Sequence, residues 1–208
     1  RVAQWGSLFS SLETGREMID RLSTQLKQHK NINLLTNSEV VENKGSVGNI
    51  ALKIRRKEPE TGAEVMTEIT VGSVLMATGF DYYTPQQAEF GYGVSDRVIT
   101  KPEFKKMIDS QTGKKLMHNG REVKNIAYIY CVGSRQTDGE NTYCSRNCCT
   151  STIHAAVTAK KKFNNITNFH FNRGLRTYGK QEILYADSLR QGDIYLQSYE
   201  DGLPTVIT

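Results

Sequence analysis

The sequence predicts an α/β protein built of Rossmann-like three-layer units, with a β-meander in the first of them. Two observations carry that expectation. Residues 125–198 alternate strand and helix signals in the order βαβαβ, and residues 33–77 string short β signals around a hairpin turn. A third gives the second unit its interest: the four cysteines of the 208-residue chain, Cys131, Cys144, Cys148 and Cys149, all fall within nineteen positions at a predicted strand-to-helix junction.

The elements follow in order. Residues 11–30 place Met18, Ile19, Leu22 and Leu26 at helical spacing, so an amphipathic helix is expected there. Asn33 to Thr36 reads as a short strand that resumes at Ser38 to Val41 after a break. Ile50 to Ile54 and Val65 to Val71 alternate apolar and polar residues on either side of Glu58-Pro59-Glu60-Thr61-Gly62, a hairpin. Val74 to Ala77 reads as a buried apolar strand ending in Thr78-Gly79, and a loop from Phe80 to about Asp96 leads out of this unit.

Thr100-Lys101-Pro102-Glu103 is a capping box with proline in the first turn, and Phe104, Met107 and Ile108 supply the apolar face of the helix it opens. The polar stretch Gln111 to Lys124 is expected to be a loop. Asn125 to Cys131 reads as a buried strand, Ser145 to Lys162 as a helix, Thr167 to Asn172 as a strand, Lys180 to Gln191 as a helix and Ile194 to Ser198 as a strand. The division into units is placed at 1–96 and 97–208.

Composition bounds the function. No apolar run approaches the roughly 18 to 20 residues of a bilayer span, so no direct membrane span is expected. The N-terminus carries no secretory pattern, and a cytoplasmic protein is expected. The formal charge of +5 rests on short basic runs, Arg55-Arg56-Lys57 and Lys160-Lys161-Lys162, which read as solvated faces; no nucleic-acid partner is expected. In a reducing compartment clustered cysteines point to metal binding or catalysis before disulfides.

The cysteines read C-x12-C-x3-C-C. Cys131 ends a strand, and the helix reading puts Cys144 and Cys148 one turn apart on one face, with Cys149 about 100° further round. Four thiolates in one place suit a tetrahedral sulfur-loving centre, an iron-sulfur cluster or zinc. Adjacent Cys148-Cys149 fits paired zinc knuckles poorly, and no C-x-x-C redox pair is present. Buried cysteines without metal are the third alternative. No G-x-G-x-x-G occupies the junction, which argues against a nicotinamide dinucleotide there. Arg135 is placed either to donate to a cluster sulfur or to pack in the loop. His154, five residues after Cys149, is the one histidine near the site; His29, His118 and His170 form no visible constellation.

Cys131-Val132-Gly133-Ser134-Arg135, followed by Tyr143-Cys144-Ser145-Arg146-Asn147-Cys148-Cys149, closely resembles the A-type subunit of heterodisulfide reductase, a flavoprotein family with a thioredoxin-reductase-like core. Arg1-Val2-Ala3-Gln4, Ala77-Thr78-Gly79-Phe80-Asp81 and Arg176-Thr177-Tyr178-Gly179-Lys180 resemble further motifs of that family, so the likeness extends along nearly the whole chain. The resemblance implies units of the FAD/NAD(P)-disulfide reductase type and a [4Fe-4S] cluster held by Cys131, Cys144, Cys148 and Cys149. It implies FAD in the full-length protein, contacted by Arg1, Val2, Ala3, Gln4, Val40, Ala77, Thr78 and Gly79. It also implies electron relay between the two cofactors and other iron-sulfur subunits of a redox complex, with a homodimer compatible. No residue is expected to act as a general acid or base. The family's N-terminal G-x-G-x-x-G and ferredoxin-type cysteine sets are absent from this chain, which is read as an internal fragment expected to be inactive alone. The competing class is a non-enzymatic zinc-stabilised domain that binds a partner protein.

Overall fold

The computed structural model describes residues 13–198 and 202–207. In helix α1 (Gly15–Gln28), Met18, Ile19 and Leu26 are half-buried while Arg16, Glu17, Asp20 and Arg21 face water, the stripe that helical spacing of apolar residues produces. Strands β1 (Ser38–Ser46), β2 (Asn49–Lys57) and β3 (Glu64–Val71) then form an antiparallel sheet in sequence order. Gly48, at φ +96°, lies in the two-residue connection between β1 and β2. The proline-containing linker closes the second connection, with Gly62 N–H donating to the Glu58 carbonyl at 2.9 Å. Strand β1 runs past the predicted end at Val41 to Ser46, its register interrupted by an irregularity between Val40 and Glu42. Leu52 and Ile54, two residues apart on one face of β2, are buried.

Two predicted strands are absent. Asn33 to Thr36 and Val74 to Ala77 are irregular and exposed, Leu75 to 92%. A strand exists only against a neighbour that takes its backbone hydrogen bonds. Among the described residues neither segment has one.

Helix α2 (Lys101–Ser110) begins as its capping box predicts: the Thr100 backbone N–H and its hydroxyl both donate to Glu103 Oε2, each at 2.6 Å. Phe104 and Ile108 are buried on its inner face. The stretch expected to be a loop contains a small hairpin, β4 (Met117–His118) and β5 (Arg121–Glu122). Asn119-Gly120 joins them, with both φ values positive, +47° and +75°, the signature of a type I′ turn. The same stretch delivers Leu116, fully buried, to the core.

Strands β6 (Asn125–Ile129), β7 (Thr167–Asn172) and β8 (Ile194–Gln197) make a parallel sheet in that order. Helix α3 (Cys148–Lys162) connects β6 to β7, and α4 (Glu182–Arg190) connects β7 to β8. This βαβαβ arrangement is a mixed α/β architecture compatible with a Rossmann-like fold. Alanines 155, 156 and 159 of α3 share one core with Tyr128, Tyr130, Phe163 and Ile166; their small side chains let the helix lie close to the sheet.

The packing separates a compact unit of Glu17–Asp81 from one comprising Tyr82 onward together with residues 13–16. No helix among the described residues is long and apolar enough to cross a membrane. Two lysines of the basic run are spent internally: Lys160 bonds Asp193 at 2.9 Å, and Lys162 bonds the Ile108 carbonyl at 2.5 Å, near the end of α2.

Candidate metal centre

The chain leaves β6 by a strained turn. Tyr130 N–H still donates to the Phe171 carbonyl of β7, at 3.0 Å, and the next residue, Cys131, takes a left-handed φ of +61°. Ser134 N–H closes the turn onto the Cys131 carbonyl at 3.2 Å. Within it Gly133 lies at φ +68°, and a Cβ there would overlap the Tyr83 ring. Only glycine satisfies both demands. Arg135 follows at φ +52°. Its N–H bonds the Tyr143 carbonyl (3.0 Å) and Gln136 N–H the Asn141 carbonyl (3.1 Å), so the long gap between the first two cysteines folds back on itself.

Helix α3 starts at Cys148, not at Ser145 as predicted. Arg146, at φ +63°, cannot belong to a right-handed helical turn, so the expected pairing of Cys144 and Cys148 on one helix face does not exist. Cys144 sits on the loop, where its Sγ accepts from Arg146 N–H at 3.4 Å. Cys148 and Cys149 occupy the first turn of α3, whose dipole favours negative charge.

Three thiols interact directly through their charges. Donation from the Cys149 thiol, helped by Ser145 and the charge of Lys101, outweighs burial and holds Cys148 down at about 5. Its hydrogen bond to Cys148 together with burial pushes Cys149 far up. Burial and the Cys148 charge raise Cys131, while Arg135 and Arg173 oppose them. The charge of Cys144, with that of Tyr178, raises Arg176 above its ordinary value, and the Arg176 backbone opposes the rise at Cys149. The donor set is thus all sulfur, the chemistry an iron-sulfur cluster or zinc requires. The set is not closed around a point: among the described residues no group of three or more His, Cys, Asp or Glu is arranged to hold a metal ion. Cys144 is the member that no regular element fixes.

His154 is buried in α3, and burial, with Lys105 and Lys161 nearby, pushes it down to about 4, so it is neutral at pH 7. Of the expected flavin contacts, Arg1, Val2, Ala3 and Gln4 lie outside the described residues. Val40 is a half-exposed residue of β1, and Ala77, Thr78 and Gly79 are exposed and irregular, Gly79 at φ +75°. A groove on the same unit, lined by Asn37, Ser38, Arg55 and Lys57, includes none of them.

Sequence reasoning missed a buried network. The inward face of β7 is polar: Asn168, His170 and Asn172. His170, with no exposed surface, stacks between Tyr128 (4.9 Å, 17°) and Tyr195 (4.3 Å, 8°). Its Nδ1 lies 2.9 Å from the Tyr130 hydroxyl and its Nε2 lies 3.6 Å from Asp193 Oδ2. Asp193 also accepts from Asn168 (2.9 Å), Ser188 (2.5 Å) and Lys160 (2.9 Å). His170 therefore does belong to a constellation, one that ties β6, β7, α3 and α4 together. The only signal for it in the sequence was the alternation Asn-x-His-x-Asn.

No family model matches the chain. It is 35% identical over 141 residues to a CoB–CoM heterodisulfide reductase iron-sulfur subunit of the A type from Methanopyrus kandleri, an overlap covering 65% of this chain and 21% of that protein. It is 37% identical over 118 residues to the A-type subunit of the H(2):CoB-CoM heterodisulfide,ferredoxin reductase of Methanothermobacter marburgensis, covering 54% and 18%. The chain is homologous to a segment of the heterodisulfide reductase A-type subunit. The corresponding subunit of a ferredoxin/F(420)H(2)-dependent CoB-CoM heterodisulfide reductase from Methanosarcina acetivorans matches at 28% over 154 residues, 67% of this chain and 19% of its own length. The resemblance read from the cysteine motifs is thereby confirmed, and the chain spans about a fifth of the length of these relatives.

Proposed function

We propose that this chain is the cluster-bearing segment of an oxidoreductase subunit. The subunit relays electrons between FAD and a [4Fe-4S] cluster held by Cys131, Cys144, Cys148 and Cys149, and exchanges them with other iron-sulfur subunits of a heterodisulfide-reductase-type complex in the cytoplasm. The observation that carries this reading is the gathering of every cysteine of the chain in the segment that runs from the end of β6 to the first turn of α3. The homology to proteins named for heterodisulfide reduction supports it.

When bound, the cluster would supply a one-electron carrier, and FAD the means of splitting electron pairs into single electrons. The chain's own residues do the holding. Cys131 would offer its sulfur from a left-handed turn, and Cys148 and Cys149 theirs from the positive end of α3; Cys144, on the loop, would have to close onto them. On this reading residues 1–96 belong to the FAD-binding unit, with Arg1 to Gln4, Val40 and Ala77 to Gly79 as its flavin contacts, and residues 97–208 to the cluster-bearing unit.

Anaerobic reconstitution with ferrous iron and sulfide tests the reading. Iron and acid-labile sulfide in equal amounts, with the visible absorption of a cubane cluster, are expected. Stoichiometric zinc without sulfide would sink the redox reading. Cys144→Ala is expected to abolish the absorption; an unchanged spectrum removes Cys144 from the ligand set.

A further inference from the structure

Residues 82–96, which lead to α2, contain one turn of 3-10 helix, Glu89–Gly91, and are otherwise irregular, yet they are closely tied. The segment is knotted on itself: Ala88 N–H donates to the Tyr92 carbonyl (2.8 Å), Tyr92 N–H to the Glu89 carbonyl (2.9 Å) and Gln87 Nε2 to the Gly93 carbonyl (3.1 Å). To make that knot, Ala88 and Phe90 are held at left-handed φ values of +67° and +49°. For a residue with a Cβ this conformation costs free energy and persists only where surrounding contacts impose it. At the far end Asp96 is fixed to the β4–β5 hairpin: Asn119 Nδ2 donates to its carboxylate at 2.8 Å, and His118 Nε2 lies 2.7 Å from its carbonyl oxygen. At the near end Glu89 Oε2 accepts from the Tyr83 hydroxyl (3.0 Å) and from Gln86 N–H (2.9 Å).

What the knot holds is Tyr83. Its ring lies against Gly133, inside the turn that Ser134 N–H closes onto the Cys131 carbonyl, and fills the space a Cβ would need. The neighbouring Tyr82 ring stands 5.6 Å from Lys101 Nζ, at the start of α2. Phe104 and Ile108 of that helix share a core cluster with Cys149, and Cys131 and Cys148 pack against it half-buried. Two consecutive tyrosines thus seat the segment beside the cysteines, one on the turn that carries Cys131 and one on the helix that shares their core. We propose that residues 82–96 are a strap closed on the Cys131 turn, with Tyr83 as its latch and Glu89 as the catch, and that the strap bars bulky solutes from the Cys131 thiol. A latch made of one phenol and one carboxylate opens locally, without unfolding the unit. The strap acts on access to the thiol itself, so it stands apart from the identity of any centre the cysteines hold.

The full chain, kept reduced and without added metal, is treated in parallel with iodoacetamide and with a maleimide carrying a poly(ethylene glycol) chain, and the rate at each cysteine is read by peptide mass spectrometry. The ratio of bulky to small rates, compared between variants, separates access from intrinsic thiol reactivity, which moves both rates together. Tyr83→Ala and Glu89→Ala are expected to raise that ratio at Cys131 by about fivefold or more, the net worth of one hydrogen bond in an opening equilibrium. At Cys144, on the loop, the ratio is expected to stay as it was. Tyr83→Phe, which keeps the ring and loses the bond to Glu89, is expected to fall between the unsubstituted protein and Tyr83→Ala. An unchanged ratio at Cys131 in both alanine variants overturns the strap. A rise shared equally by all four cysteines, with a lower urea midpoint, also overturns it, because the unit as a whole would then have loosened. Where Tyr83→Ala does not fold, Glu89→Ala decides by the same ratio.

Discussion

Gly133 is held by two independent constraints, a left-handed φ of +68° and a Tyr83 ring where its Cβ would be. Gly133→Ala is therefore expected to cost about 1–3 kcal/mol in urea unfolding, beyond the usual effect of a surface change. Asp193 gives a second residue-level expectation. Burial pushes its carboxyl up, but His170, Ser188, Lys160 and Asn168 together hold it down, at about 2 against an ordinary 3.8. A depressed carboxylate stabilises the fold above its unfolded value and loses that contribution as pH falls through the folded one. About 2 kcal/mol should vanish between about pH 4 and pH 2, and urea midpoints of Asp193→Asn across this range should lack that slope. The cysteines announce themselves in the sequence because their spacing is local. His170 did not: its partners lie between 23 and 42 positions away, and only the packing of β6, β7 and the segment before β8 brings Tyr130, Tyr128 and Asp193 around it.

Among the elements, those specified by short-range pattern were legible. The capping box at Thr100 and Glu103 places the start of α2 correctly, and the alternation of strand and helix signals after Asn125 gives the parallel sheet. Glu103→Ala removes the acceptor of both bonds and is expected to lower stability by about 1 kcal/mol, measured as a lower urea midpoint with an unchanged slope. The start of α3 was not legible, because nothing in Ser145-Arg146-Asn147 marks the left-handed backbone at Arg146 that delays the helix to Cys148. The hairpin of β4 and β5 was legible in principle: Asn119-Gly120 is a turn dipeptide whose message was hidden by the polarity of its surroundings. The strands expected at Asn33 and Val74 fail for the opposite reason, since their local signal is sound but pairing depends on residues elsewhere.

On the scale of the whole molecule, apolar surface is distributed unevenly. Val74, Leu75 and Met76 are exposed to 43%, 92% and 74%, a strip of the kind that drives self-association. Leu75→Lys is expected to leave the melting temperature within the small range of surface substitutions while reducing concentration-dependent light scattering; a large fall in melting temperature would mean that Leu75 packs inward. Strand β7 is the contrasting case. It is paired on both sides, by β6 and β8, and its inward face is sealed by His170, Asn168 and Asn172. No local fraying can reach its amide protons, so Phe169, His170 and Phe171 are expected to exchange with deuterium only when the unit opens as a whole, and their exchange rates would read its global stability directly.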